Sequence, residues 1–144
     1  MDVPSQVLAQ FAVISAIVLI TTSYLYSLSL YESFLKQREL EVAAYKIEYH
    51  IIEAINEAIK SKSKIVKNVL IGSNFKGRII EENNNIKLIL SNGNIEKEID
   101  LTMIGLKEHR IKLNNKGSSY FIAYNVTIIV DYKEEEKEII IQLG

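Results

Sequence analysis

Residues 3–31, VPSQVLAQFAVISAIVLITTSYLYSLSLY, contain no charged side chain, and the run passes directly into a charged helical pattern. A hydrocarbon core about 30 Å thick takes roughly 20 helical residues to cross, so the run is long enough. No other feature constrains the chain as strongly. A helix that is apolar on every side needs lipid or other apolar helices around it. The leader MDVPSQ carries an aspartate and no lysine or arginine. The apolar stretch also exceeds the roughly 7–15 residues of a secretory signal. The segment therefore reads as a membrane span or hydrophobic stalk, and Pro4 with Ser5 suits the start of its helix.

Within the run, Ser15, Thr21, Thr22, Ser23, Ser27 and Ser29 are hydroxyl residues that can bond back to their own helix in lipid. Small hydroxyl residues also let apolar helices approach closely. The segment thus suits both a plain single span and a helix that bundles with copies of itself. Phe11, Ile14, Ile17, Ile20, Thr21 and Tyr24 are the candidates for membrane contact and self-packing. Tyr24, Tyr26 and Tyr31 lie where an interfacial aromatic belt is expected. Lys36, Arg38 and Lys46 follow the run and no basic residue precedes it. By the positive-inside rule alone, that places the C-terminal domain in the cytoplasm.

No glycine or proline interrupts residues 32–61. Leu40, Ala44, Ile47, Ile51, Ala54 and Ala58 recur at alternating spacings of four and three, one apolar stripe along a helix. Ile52, Ile55 and Ile59 widen it, while Lys36, Arg38, Glu41, Glu48 and Glu57 take the opposite side. A stripe this rich in alanine suits close packing on a sheet of its own domain, in preference to a parallel coiled coil. Joined to the apolar run, it predicts one helix over 5–61, about 85 Å long at 1.5 Å per residue.

After Ser63 the period changes. Runs at 65–71, 75–80, 86–90 and 95–101 are apolar-rich or alternating, and Asn92-Gly93 between the last two predicts a type I′ hairpin. Residues 109–113 form a short strand candidate. Residues 119–132 read as one long strand with Tyr120, Ile122, Tyr124, Val126, Ile128, Val130 and Tyr132 on one face. Glu134-Glu135-Glu136 then forms a charged turn into a last strand at 138–143. Roughly five to seven short strands predict an antiparallel sheet or small sandwich, and the class is α+β. The expected division is a hydrophobic helix at 1–35, an amphipathic continuation at 36–62 and a β-rich head at 63–144.

Chemistry is sparse. The chain lacks cysteine, which excludes disulfides, thiolate metal sites and cysteine nucleophiles. Seventeen basic residues nearly balance eighteen acidic ones, so net charge steers it toward neither nucleic acid nor an acidic partner. No phosphate loop, GxSxG or HExxH occurs, and His50 and His109 have no ligand partner at useful spacing. No catalytic residue, metal, cofactor or small-molecule substrate is expected. Asn125-Val126-Thr127 fits an N-glycosylation sequon, with Asn125 expected to face outward.

This layout resembles the type IV pilin-like proteins, the archaeal pilins and archaellum-associated proteins in particular. A short polar start precedes the apolar helix (7–30), an amphipathic continuation follows to about Ser61, and a β head closes on a hairpin. The resemblance implies that the apolar half anchors the subunit in membrane lipid and then bundles with itself or with related pilin-like subunits. It also implies an extracellular head, against the positive-inside reading. The expected function is a structural subunit of an archaeal surface filament. The alternative is an unprocessed single-span anchor whose head binds a partner protein, as in an archaellum accessory subunit. An enzyme is not expected.

Overall fold

The computed structural model describes residues 4–83, 85–101, 109–114 and 118–144. Residue 3, where the uncharged run begins, lies outside this set. The chain has one helix and eight strands among the described residues, in the α+β class. It divides into two compact units, Met1–Gln37 and Arg38–Gly144. Helix α1 (Ser5–Ser61) contributes to both. Its first turn begins one residue earlier than a serine cap would put it: the Pro4 carbonyl accepts from the Val7 and Leu8 amides, so Ser5 is already helical. At the other end Lys62 takes a left-handed φ of 53°, which stops the helix. The Ser61 hydroxyl donates back to the Glu57 carbonyl.

The second unit holds two four-stranded sheets. One runs β1 (Ile65–Leu70), β7 (Asn125–Lys133), β8 (Glu138–Leu143), β5 (Arg110–Leu113). The other runs β4 (Ile95–Asp100), β3 (Asn85–Asn92), β2 (Lys76–Glu82), β6 (Ser118–Ile122). All pairings are antiparallel except β5 with β8, which is parallel. Inward rows follow from the register. Ile79, Leu88 and Ile99 are consecutive partners in the second sheet. Ile65, Val130 and Ile141 are partners in the first.

The sheets approach each other directly where β5 nears β2 and β3, and where β6 nears β7 and β8. The Leu113 amide donates to the Glu81 carboxylate there. On the β1 and β4 side, the helical segment 38–61 fills the space. Leu40, Ala44, Ile47, Ile51, Ala54 and Ala58 are fully buried, and Ala43 and Ile55 join them in one core with both inner faces. Burying each leucine or isoleucine side chain contributes about 1.5–3 kcal/mol. The alanines let backbone come close. Polar ties fix the margins: Lys67 of β1 bridges Glu53 and Glu57, Lys46 donates to the Leu70 carbonyl, and the Lys97 ammonium of β4 lies 5.4 Å from the Tyr45 ring.

Two expectations need correction. The segment 119–132 is not one strand with one face. It crosses from one sheet to the other at Ala123-Tyr124, where the Ala123 amide donates to the Phe75 carbonyl and the Tyr124 carbonyl accepts from Ile71 and Gly72. Parity shifts at the crossing. Phe121 and Ala123 are buried before it and Val126, Ile128 and Val130 after it, so Tyr120, Ile122 and Tyr124 are exposed. The hairpin before β4 is also displaced by one residue. Asn92 pairs with Ile95, so Gly93-Asn94 forms the turn, and of these two only Gly93 has positive φ (64°). That is the II′ pattern, with glycine first.

Gly77 is required for space and not for backbone freedom. A Cβ there would stand 2.3 Å from the Phe121 ring, which lies across the glycine from the neighbouring strand. Gly77→Ala is expected to lower head stability by about 1–3 kcal/mol through overpacking, measured by thermal unfolding. Adding Phe121→Leu to it should recover part of the loss; equal losses in single and double variants would contradict the ring contact.

Candidate membrane and assembly segment

In the first unit every described residue from Ser5 onward is helical, and nearly all are exposed. Phe11, Ile14, Ile17, Ile20, Tyr24 and their neighbours present exposed large apolar side chains. Thr21, the remaining member of the self-packing set, is exposed on the same helix. Exposed apolar surface on this scale marks, in general, a membrane or partner contact. Among the described residues, α1 is the one helix long and apolar enough to cross a membrane. Its hydroxyls have a use in that setting: Thr22 Oγ1 donates to the Val18 carbonyl at 2.7 Å, one turn back, leaving no polar hydrogen unpaired there.

In the second unit, the stripe residues Leu40 to Ala58 lie in the core, while Val42, Tyr45 and Tyr49 of the same helix face outward. Open clefts on the second unit include one of about 280 Å³ beside Arg38, Lys46 and Ser73 and one of about 190 Å³ beside Lys76, Arg78 and Tyr120. No group of three or more His, Asp or Glu among the described residues is placed to hold a metal ion. His50 Nδ1 lies 3.3 Å from Glu53, and His109 Nε2 lies 3.1 Å from the Tyr132 hydroxyl, where its ring packs edge-on. Asn125 is exposed at the start of β7.

The sequence pattern missed an exposed apolar group on the head. Tyr120, Ile122 and Tyr124 are exposed by 74, 63 and 51 %, and Leu70 by 63 %. The signal that would have found them is Phe121 with Ala123, two apolar residues out of phase with the tyrosines.

Charge pairs hold the head's strand ends. Glu138 is the one polar side chain buried among the described residues, and it pairs with Lys112 on the parallel neighbour β5. The Lys112 bond holds its carboxyl below the ordinary carboxylate range; a Glu136 contact and Lys133 assist, against burial, which pushes it up. Glu53 is likewise lowered, by the Lys67 bond first, and Lys67 is raised chiefly by its bond to Glu57.

In comparisons with known protein families, curated sequences and solved structures, the chain has no match. What the structure defines is a class by layout: a long apolar N-terminal helix whose continuation packs on a β-sheet head, compatible with pilin-like proteins.

Acid should unfold the head in a way that reports Glu138. A carboxyl with a lowered folded-state value stabilises the fold above its unfolded value, about 4.3, and loses that contribution as pH falls through the folded value. Glu138→Gln is expected to cost about 1–2 kcal/mol at pH 7, the exposed lysine partner reducing the effect. It should also flatten the acid limb of the melting-temperature profile, measured on the full chain in detergent. An unchanged limb would remove Glu138 from that role.

Proposed function

We propose that the protein is a structural, pilin-like subunit of an archaeal cell-surface filament that assembles through its N-terminal helix. The observation that carries this reading is the uncovered apolar surface around Phe11, Ile14, Ile17, Ile20 and Tyr24 on a helix whose continuation is built into a folded head. Such a helix suits lipid before assembly and neighbouring copies afterwards. Dispersion contacts and small hydroxyl residues drive association where there is no water to expel.

A second reading is favoured by one observation. No acid falls between residues 3 and 31, whereas pilin-like subunits ordinarily carry one near the start of the apolar helix. On that reading the helix is a permanent single-span anchor and the head binds a partner protein.

Ile17→Lys is expected to weaken membrane insertion by about 2.5–3.5 kcal/mol for a charge at the helix centre, and to abolish both membrane retention and filament assembly. Filaments containing the variant at normal levels would overturn the subunit reading. N-terminal mass analysis of native protein with external protease treatment of intact cells separates the two readings. A cleaved N-terminus with a digestible head supports the filament subunit, and an intact Met1 supports the anchor.

A further inference from the structure

The sequon Asn125-Val126-Thr127 adjoins two members of the exposed apolar group, Leu70 across the strand pair and Tyr124 in sequence. Asn125 is the cross-strand partner of Leu70, so their side chains leave the same face of the β1–β7 pair. Directly opposed residues of an antiparallel pair have Cβ atoms about 4.5–5.5 Å apart. Tyr124 precedes Asn125 at the crossing between sheets, and Ile122 and Tyr120 continue from it along β6. One register step along the same face, the Thr127 hydroxyl donates to the Asn68 side-chain oxygen at 2.9 Å. Asn125 is therefore exposed on the same face as Leu70, which is itself exposed by 63 %.

We propose that Asn125 is an N-glycosylation site and that the attached sugar covers Leu70 and Tyr124. The occupant follows from the juxtaposition. Pyranose rings present C–H faces that pack on tyrosine rings and aliphatic side chains while their hydroxyls stay hydrated. A covalently held sugar has a very high effective concentration at its own attachment point. In the modification, a bond forms between Asn125 Nδ2 and the anomeric carbon of a sugar carried on a polyprenyl phosphate or diphosphate. The bond from that carbon to the carrier's phosphate oxygen breaks, the leaving phosphate keeps the electron pair, and the amide gives up one proton. Donors of this class are used on the outer side of the membrane, so the inference rests on the reading that the head is extracellular.

The test is peptide mass mapping of the full-length protein purified from membranes of its native host. The peptide bearing Asn125 is expected to carry a sugar mass that Asn125→Gln and Thr127→Ala both lose and Thr127→Ser keeps. Retention of the mass in Asn125→Gln overturns the assignment. A bare Asn125 in the native protein also overturns it, and external protease treatment of intact cells then tells whether the surface reading falls too. A digestible head confines the failure to the glycan. Nitration of Tyr124, referenced to exposed Tyr49, is expected to be several-fold faster in Asn125→Gln than in the native protein. Equal rates would overturn the covering of Tyr124.

Discussion

The head exists because one helical stripe closes two sheets that do not close on each other. On the β5 and β6 side the sheets meet directly, while on the β1 and β4 side helix 38–61 occupies the gap with Leu40, Ile47, Ile51 and Ile55. Without it the inner rows of both sheets would face water. Without them the apolar stripe of the helix would face water as well. Alanine at 43, 44, 54 and 58 sets the depth of the insertion, since a larger side chain at any of these fully packed positions would hold the sheets away. Lys67, Lys46 and Lys97 then tie the helix margins to the flanking strands.

The same helix has two surroundings in the chain. Among the described residues up to Gln37 its large apolar side chains are exposed, and from Leu40 to Ala58 its stripe is core. Coupling an apolar segment to a folded head by unbroken helix leaves no flexible linker of glycine or proline between them.

Much of the fold was legible in residue order. The spacing of Leu40, Ala44, Ile47, Ile51, Ala54 and Ala58 identified the buried stripe, because a single face of a helix has only one way to be apolar. Most strands were legible for the same reason at period two. The failures cluster where period two carries no information. Tyr120 to Tyr132 alternates without a break, yet the chain changes sheets at Ala123-Tyr124 and the inward parity moves from odd to even positions. Likewise Asn92-Gly93 and Gly93-Asn94 are both good turn pairs, and only the register with β3 and β4 chooses between them. The parallel pairing of β5 with β8, and the Phe121 ring over Gly77, join residues far apart in the chain and leave no local trace. The exposed group at Leu70 and Tyr124 left only a faint local trace, Phe121 with Ala123 out of phase with the tyrosines.

Sequence alone determined that the chain has an uncharged helix-forming run too apolar for water, a striped continuation and a β-rich remainder. Those properties are set by side-chain polarity at helical and strand periods, which are local. Tertiary structure decided that the strands form two sheets in place of one, that the stripe inserts between them, and that Asn125 stands beside Leu70. Each of these depends on contacts between residues distant in sequence, whose free energies are gained only when the whole core closes at once.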